Sequence, residues 1–283
     1  DFYKVFILRA IEKLKSFNFF NAYKYMNSIL VNIIDKLVIQ SRTNPRGRRP
    51  AATTKHYLKQ IMSVLRSGMQ WHHLKSDLHY TTYHKTHMKW CKLGIYELAF
   101  KLSLKLAKFS RGELKNLFID SSMIKNKQGK DCIGANHYDR YRSATKVNVI
   151  VTSTGIPLSI NVVKANTHDS TLTAEAVNCL NVKVIGSRLI ADKGYINNKY
   201  KKTILKSHRI KLIYPVRKNQ HVKNTVLEIN LLKRRSIVEH FFSWLKNYRK
   251  IQVRHDKTIM SFEGFIYLAS LNILHNKRVV SLE

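Results

Sequence analysis

Apolar residues recur at helical spacing over roughly the first 110 residues of the chain, and they alternate with polar residues further on. Residues 1–40 carry such helical patterns, and a further helix with Leu58 and Ile61 on one face ends at Gly68. A second helix, over about 81–90, is basic and aromatic. A helix, a turn and a basic helix predict a helix-turn-helix, although many three-helix units share this pattern.

From about residue 115 onward the pattern predicts strands as well as helices. Residues 117–123 and 145–152 are predicted strands, and Leu158, Ile160 and Val162 alternate in a return strand after a turn. The remaining predicted elements are a helix at 170–180, a strand at 188–191, a helix at 196–207, a strand at 211–216, and helices at 233–249 and 258–276. This β-β-β-α-β-α-β-α order predicts an α/β domain with a mixed sheet flanked by helices.

The charge of the chain is far from balanced. Its 283 residues include 51 Lys and Arg against 17 Asp and Glu, a formal net charge of +34. Such an excess indicates a polyanionic partner, most economically nucleic acid, with a ribosomal or membrane-surface protein as the alternative. The Pro/Gly/Arg stretch 41–50 predicts a linker or arm whose arginines suit a phosphate backbone or a minor groove. A solvated charge run is the simpler interpretation of that stretch.

The three cysteines are isolated, and the sequence has no CxxC pair, which argues against a zinc ribbon or a disulfide framework. An intracellular location fits this usage. No stretch of 18 or more uncharged apolar residues predicts a transmembrane helix. Because the first residue is Asp1 rather than methionine, we expect the sequence to be part of a longer chain.

Two aspartates end short apolar runs, Asp120 after residues 117–119 and Asp192 after residues 189–191, and Glu239 follows on a predicted helix. A carboxylate at the end of a buried strand is costly unless it is paired or binds a metal. Mg²⁺ prefers carboxylate oxygens, and two such ions about 3.5–4 Å apart can promote phosphodiester cleavage. The alternative is that each acid caps a turn or pairs with a local Lys or Arg.

Arg235, Glu239 and Lys246 lie on one face of the predicted helix because Glu239 follows Arg235 by four residues and precedes Lys246 by seven. Arg235 can orient the carboxylate of Glu239 or contact a phosphate, while Lys246 reaches DNA further along the helix. An ordinary surface ion pair between residues i and i+4, worth about 0.3–0.5 kcal/mol, explains the same spacing.

The segments LFIDSS, NTHDSTL, LIADKGY and RRSIVEHFFSWLKNYRKIQVRHDK resemble the DDE transposases of bacterial insertion sequences, in the group called insertion elements four and five. The stretch RRPAATTKHYLKQIMSVLRSGMQWHHL resembles the DNA-binding region of the same group. The resemblance covers roughly residues 46–278. We accordingly expect a helical segment at 1–45, a small helical DNA-binding region at 46–110 and an RNase H-like catalytic domain at 111–278.

The resemblance implies metal-dependent cleavage and transfer of DNA strands. Asp120, Asp192 and Glu239 would be the catalytic acids and would hold two Mg²⁺ or Mn²⁺ ions. The family's carboxyl-terminal signature of Tyr, Arg, Glu and Lys is matched on the predicted helix, except that Leu232 stands at the tyrosine position. The implied partners are double-stranded DNA, at terminal inverted repeats and at the target, and a second copy of the chain in a homodimer.

His168 and Asp169 follow the third strand and precede a helix. Helix capping is the simpler interpretation of Asp169, and a supporting role near the metals, with His168 on a phosphate, is the alternative. The five histidines within residues 72–87 lack zinc-finger spacing and are interpreted as DNA-facing or structural. The residues expected to bind DNA are Arg46, Arg48, Arg49, Tyr83, His84, Lys89, Lys125, Lys127, Arg140, Arg142 and Arg249.

The sequence thus predicts a DNA transposase. Water would attack the phosphate at a transposon end, and the released 3′-hydroxyl would then attack target DNA. We expect it to act at DNA in the bacterial cytoplasm or nucleoid, or in the nucleus of a eukaryotic host, and not at a membrane. An RNase H-like nuclease that cuts without joining and a non-catalytic DNA-binding protein derived from a transposase are the alternatives.

Overall fold

The computed structural model describes residues 26–42, 50–216 and 223–280. The chain divides into two compact units. The first is built from the chain up to Ala107 together with Tyr248–Ile251 and the residues from Met260 onward, and the second from Lys108–Asn247 and Gln252–Ile259. The predicted arm with Arg46, Arg48 and Arg49 lies outside the described residues.

Helices and strands follow the predicted change of pattern along the chain. In chain order they are α1 (Met26–Gln40), α2 (Thr54–Ser67), α3 (Tyr80–Lys92), α4 (Ile95–Leu106), α5 (Arg111–Lys115), β1 (Asn116–Asn126), β2 (Gly134–Asn136), β3 (Arg142–Val151), β4 (Pro157–Lys164), α6 (Asp169–Asn178), β5 (Arg188–Ile190), α7 (Asn198–His208), β6 (Lys211–Ile213), α8 (Val226–Lys233), α9 (Ser236–Lys246), α10 (Arg249–Gln252), β7 (Val253–Arg254) and α11 (Ile259–Val280). Single 3₁₀ turns lie at Trp71–His73 and Lys193–Tyr195. Within these residues no helix is long and apolar enough to cross a membrane.

The ends of α2 lie where the sequence predicts them. The Thr53 hydroxyl accepts a hydrogen bond from the His56 N–H, which satisfies one of the free donors of the first turn. Gly68 ends the helix in the left-handed region, at φ 70, and its N–H bonds to the Val64 carbonyl. A Cβ at Gly68 would also lie 2.9 Å from the Cβ of Arg249. Both the left-handed backbone and this close approach therefore favour glycine here.

The core of the first unit is formed by apolar faces of its helices. Tyr57 lies edge-on to both Tyr83 and Trp90, with ring centroids 5.8 and 6.2 Å away. The predicted third domain, at 111–278, includes α11, but α11 groups with the helices of the first unit. In that unit, Phe265 of α11 stacks on His87 at 4.1 Å. The predicted domain boundaries themselves stay predictions.

The second unit is built on a seven-stranded sheet in which the order of five strands is β2-β3-β1-β5-β6, with β4 beside β3 and β7 beside β1. Strand β1 pairs antiparallel with β3 and parallel with both β5 and β7. Strand β3 pairs antiparallel with β4 across the predicted turn, where Gly155 has a φ of 76. The prediction of an α/β domain with a mixed sheet is therefore confirmed. The short strands β2 and β7 are not predicted, because neither has an alternating pattern of apolar residues.

The long helix predicted at 233–249 is present as α9 but is shorter at both ends, and separate helices, α8 and α10, lie before and after it. The break follows from tight turns at the end of α8. The Arg234 and Arg235 N–H groups bond to the carbonyls three residues back, Leu231 and Leu232, rather than four residues back. Such 3₁₀ bonding interrupts the α-helical ladder, and α9 begins anew at Ser236.

Candidate functional site

Strands β1 and β5 pair over only three positions, the last of them Phe118 opposite Ile190. Asp120 and Asp192 each follow this last pair by two residues. Because side chains alternate along extended chain, a step of two returns to the same face of the sheet. The register therefore places the two carboxylates side by side at the point where the parallel strands separate.

Arg235 joins these two aspartates. Its Nη1 lies 3.0 Å from Asp192 Oδ1, and its Nη2 lies 3.5 Å from Asp120 Oδ2. It directly precedes α9, which packs against β1 and β3. The Asp120 carboxylate also accepts from the Ser121 N–H at 2.8 Å, and that of Asp192 accepts from the Lys193 N–H at 2.7 Å. Two predicted acids and one predicted supporting residue thus meet in one cluster.

The electrostatics of this cluster centre on Asp120. Burial raises the pKa of Asp120, the Ser121 N–H and the Arg235 guanidinium lower it, and the negative charges of Asp192 and Asp169 raise it; the net pKa lies above its ordinary value. The folded chain therefore holds this carboxylate in a site with too little positive charge. An added cation beside it would favour the ionised form.

Glu239 is exposed and lies one helical turn after Arg235, on the same side of α9. In the described part of the chain, its side chain makes no hydrogen bond or ion pair. No three His, Cys, Asp or Glu side chains of residues 26–42, 50–216 and 223–280 are grouped so that they could hold a metal ion. Lys246 lies two turns further along, half-buried, and burial lowers the pKa of its amine.

A second polar cluster lies on the other face of β1, because Ser121 points away from Asp120. The Ser121 hydroxyl donates to Asp169 Oδ1 at 2.8 Å, and Lys146 Nζ lies 3.0 Å from the same oxygen. The Lys146 side chain is 4% exposed and also donates to the Thr167 carbonyl. Asp169 is thus held by sheet residues, and His168, which is exposed, is the N-cap of α6 without a side-chain cap bond.

Tyr195 and Asn148 complete this second cluster. The buried Tyr195 hydroxyl donates to Asn148 Oδ1 at 2.8 Å. Burial and the charges of Asp169 and Asp120 raise the pKa of Tyr195 well above 10, so the phenol stays protonated. Sequence reasoning did not single out Tyr195, Asn148 or Lys146. The available signal was the second face of the predicted strand 145–152, where Lys146 and Asn148 alternate with buried valines.

The chain matches the family model described as Transposase DDE domain over residues 112–273, more than half of its length. The chain belongs to the DDE transposase family. The resemblance of its motifs to insertion-sequence transposases is thereby confirmed, and its role in transposition follows from membership. The matched span contains both aspartates, Arg235 and Glu239.

One relative supports this family membership, and one solved structure shows a shared fold. A protein of Brucella ovis assigned as a transposase for insertion sequence element IS6501 is 30% identical to this transposase over 125 residues, which are 44% of the present chain and 93% of the relative. A cryo-EM structure of the piggyBac transposase, in a synaptic complex with hairpin DNA, superposes with a TM-score of 0.52 at 10% identity. That likeness covers 89% of this chain and 72% of the other, and it shows a shared fold.

DDE transposases in general act with divalent metal ions. The donors of this transposase fit such ions, since Asp120 and Asp192 offer hard carboxylate oxygens that already share one cationic group, Arg235. The raised pKa of Asp120 points the same way, because the folded chain leaves that carboxylate short of positive charge.

The predicted DNA-binding residues divide between surface and core. Tyr83 is fully buried, and its hydroxyl lies 2.7 Å from both His56 Nε2 and Ser76 Oγ. A buried ring has no surface to offer DNA, so we remove Tyr83 from the set. His87, also fully buried, has its pKa lowered to about 3 by burial and is a structural histidine. The residues with exposed side chains are His84, Lys89, Lys125, Lys127, Arg140, Arg142 and Arg249.

Proposed function

We propose that this transposase binds double-stranded DNA at the ends of its element, cuts a strand there and joins it to target DNA. Asp120, Asp192 and Glu239 are the proposed catalytic acids, holding two Mg²⁺ or Mn²⁺ ions. The observation that carries the proposal is the register of β1 and β5, which sets Asp120 and Asp192 side by side with Arg235 between them. The RNase H-like character of the second unit is part of the same proposal.

The chemistry consists of two phosphoryl transfers. In the first, water attacks the phosphodiester at the end of the element, and the strand with a 3′-hydroxyl leaves. In the second, that hydroxyl attacks a target phosphodiester, so one P–O bond forms as another breaks. Bound divalent ions would activate the attacking oxygen and stabilise the leaving oxygen.

The residues of the chain prepare the site for this chemistry. Arg235 holds the carboxylates of Asp120 and Asp192 beside each other and lowers the pKa of Asp120, which favours the ionised form of that carboxylate. Glu239 projects from the next turn of α9 as a carboxylate without a competing partner among the described residues. We propose that Lys246, two turns further along the same side of the helix, contacts the DNA backbone.

We propose that the first unit supplies part of the DNA-binding surface. Lys85, Lys89 and Lys92 lie on one exposed face of α3, at spacings of four and three residues. Helices α3 and α4 are joined by Leu93 and Gly94, with Gly94 in the left-handed region at φ 64. Such a tight connection supports a helix-turn-helix of these two helices, whereas the longer connection 68–79 between α2 and α3 does not. We propose that the predicted arm with Arg46, Arg48 and Arg49, which lies outside the described residues, binds DNA as well.

Substitution of the acids tests the catalytic proposal. Asp120→Asn and Asp192→Asn should each abolish Mg²⁺-dependent cleavage of end DNA, while binding of the same DNA, followed by fluorescence anisotropy, stays within about twofold. Asp77→Asn is the matched control, because Asp77 is exposed in the first unit and makes the same charge change. Cleavage retained by either active-site variant would contradict the assignment.

Joining is tested separately from cutting. A pre-cut end with a free 3′-hydroxyl, incubated with target plasmid, should give a covalent product that depends on Asp120. Cleavage without any such product would restrict the function to that of a nuclease. Because two ends must be brought together, we propose a homodimer on DNA, which light scattering of the protein with end DNA would detect.

A further inference from the structure

The turn between β2 and β3 exposes two aromatic side chains. Tyr138 is 92% exposed and Tyr141 69%, and they are the only aromatic residues among the exposed large apolar side chains of the described ranges. Other tyrosines, such as Tyr83 and Tyr195, are buried and hydrogen-bonded. Two large rings in water at one turn indicate a surface that is covered when a ligand binds.

The backbone of this turn is held in an uncommon conformation. Arg140 and Tyr141 are consecutive non-glycine residues in the left-handed region, at φ 49 and 56. Buried Asn136 fixes them: its carbonyl accepts from the Asp139 and Tyr141 N–H groups, at 3.1 and 3.0 Å. Its side-chain oxygen accepts from the Tyr138 N–H at 3.1 Å. The rings therefore project from a rigid turn and lose little backbone freedom when they bind.

The surroundings of the two rings are cationic. Arg140 and Arg142 are exposed. The one acid of the turn, Asp139, forms an ion pair with Arg142, with 3.7 Å between Oδ1 and Nη1. The His137 ring lies against the edge of Tyr141, with centroids 5.1 Å apart. Aromatic rings among arginines match the two parts of a nucleotide, since bases stack on rings and phosphates bind guanidinium groups.

The turn lies far from the aspartate pair. Val149 pairs with Asp120, and Arg142 at the turn precedes Val149 by seven residues of β3. At about 3.4 Å per residue, the turn is roughly 24 Å from Asp120 along the strand. A ligand of this turn therefore lies some distance from the aspartate pair.

We propose that Tyr138 and Tyr141 form a stacking platform for unstacked DNA bases, with Arg140 and Arg142 holding the neighbouring phosphates. The proposal rests on the proposed function, in that DNA is the ligand. It goes beyond that function by assigning recognition of locally opened DNA to a site that takes no part in the chemistry. Fully paired DNA keeps its bases in the stack and uses only the arginines of this surface.

Binding to three matched oligonucleotides tests the platform: a duplex, the same duplex with a three-nucleotide unpaired bubble, and one of its single strands. The double variant Tyr138→Ala/Tyr141→Ala should lose about tenfold or more in affinity for the bubble and the single strand, and little for the duplex. The logarithm of the DNA-binding constant of this variant should fall with the logarithm of salt concentration at the wild-type slope, because no phosphate contact is removed. Arg140→Gln/Arg142→Gln should instead flatten that slope on all three DNAs.

Two further variants separate stacking from structure. Tyr138→Phe/Tyr141→Phe keeps both rings and should bind the bubble like wild type. Ile185→Ala removes a side chain that is 68% exposed elsewhere in the same unit, and it should bind all three DNAs unchanged. Circular dichroism of the alanine double variant checks that the fold is kept.

Equal affinity of the alanine double variant and wild type for the bubble would overturn the platform, and so would an equal loss on bubble and duplex. Either result leaves the catalytic proposal standing if wild type still cleaves end DNA with Mg²⁺. A wild-type protein that binds none of the three DNAs overturns both proposals at once.

Discussion

The two faces of β1 both carry carboxylates beside a cationic side chain, but the carboxylates are neutralised to different extents. On one face Asp120 shares Arg235 with Asp192, and on the other Asp169 receives Lys146 and the Ser121 hydroxyl. Both faces hold carboxylates beside a cationic group. They differ in the ratio of charges, because one guanidinium serves two carboxylates on the first face, whereas one ammonium serves one carboxylate on the second.

This difference in charge ratio suggests that the aspartate pair serves function and that the Lys146–Asp169 pair stabilises the fold. The Lys146–Asp169 pair is closed, since the Lys146 side chain is 4% exposed and also donates to the Thr167 carbonyl. The aspartate pair is open, because burial and like charges keep the pKa of Asp120 above its ordinary value even with Arg235 present. A carboxylate pair with too little positive charge is suited to bind a cation, while a carboxylate neutralised by a buried lysine is suited to hold structure.

Asp120→Asn should produce the largest effect, a loss of about 10³-fold or more in Mg²⁺-dependent cleavage. The same change should not lower the free energy of unfolding at neutral pH. Because the folded pKa of Asp120 is raised, folding favours its protonated form, and ionisation costs stability as the pH rises above the ordinary Asp pKa. Urea denaturation at pH 7 measures this, and a clear destabilisation would show that Asp120 is compensated after all.

Lys146→Met, in contrast to Asp120→Asn, should act mainly on stability. We expect a loss of about 2–3 kcal/mol in the free energy of unfolding, because Asp169 and the Thr167 carbonyl lose their buried partner. Lys101→Met is the matched control: Lys101 pairs with Glu97 on a helix surface, and its loss should cost only about 0.3–0.5 kcal/mol. Urea denaturation compares the two. Similar values for both variants would contradict the closed-pair interpretation.

Arg235→Gln should lower cleavage by about 10- to 100-fold and move the acidic limb of its pH profile to higher pH. Arg235 favours the charged form of Asp120, so its removal leaves burial and the negative charges of Asp192 and Asp169, all of which raise the pKa. Arg234→Gln, at an exposed position next in the chain, makes the same charge change and should leave the limb in place. A limb that stays put in Arg235→Gln would mean that Arg235 acts elsewhere.

Ser121→Ala should have the smallest effect, about 1 kcal/mol of stability, because it removes the hydroxyl with its bonds to Asp169 and Tyr195 and leaves the ion pair with Lys146 in place. The Ser121 N–H that serves Asp120 belongs to the backbone and remains. Cleavage should therefore stay near wild type, and Ser122→Ala provides the neutral comparison. A large loss of cleavage in Ser121→Ala would show that the two faces of β1 are coupled.

The sequence predicts the strand-end carboxylates because their signal is local. An acid that ends an apolar run is conspicuous at Asp120 and Asp192, and a fixed spacing links Arg235 to Glu239. The α/β class follows from periodicity in the same way. These features depend on a few neighbouring residues each.

What the sequence does not predict depends on pairing between distant segments. The contact of Lys146 with Asp169 spans 23 residues, and it depends on the pairing of β3 with β4, in which Lys146 lies opposite Val163. The break between α8 and α9 lies within a run of good helix formers, so propensity alone continues the helix through it. Tyr83 lies in a basic, aromatic segment that the sequence predicts to face DNA. Its ring instead packs against Tyr57 in the core, a contact that the local sequence does not reveal.

The way in which the chain contributes to its two units has a consequence for the order of synthesis. The second unit is complete at Ile259, but the first draws on residues from Met260 onward, which include Phe265 against His87. On the ribosome the first unit begins first and finishes last, so a nascent chain reaches its complete helical core only after the α/β unit has been made. Cutting the chain after Ala107 would likewise separate α3 from the helix that packs on it, so the two units cannot be exchanged as consecutive modules.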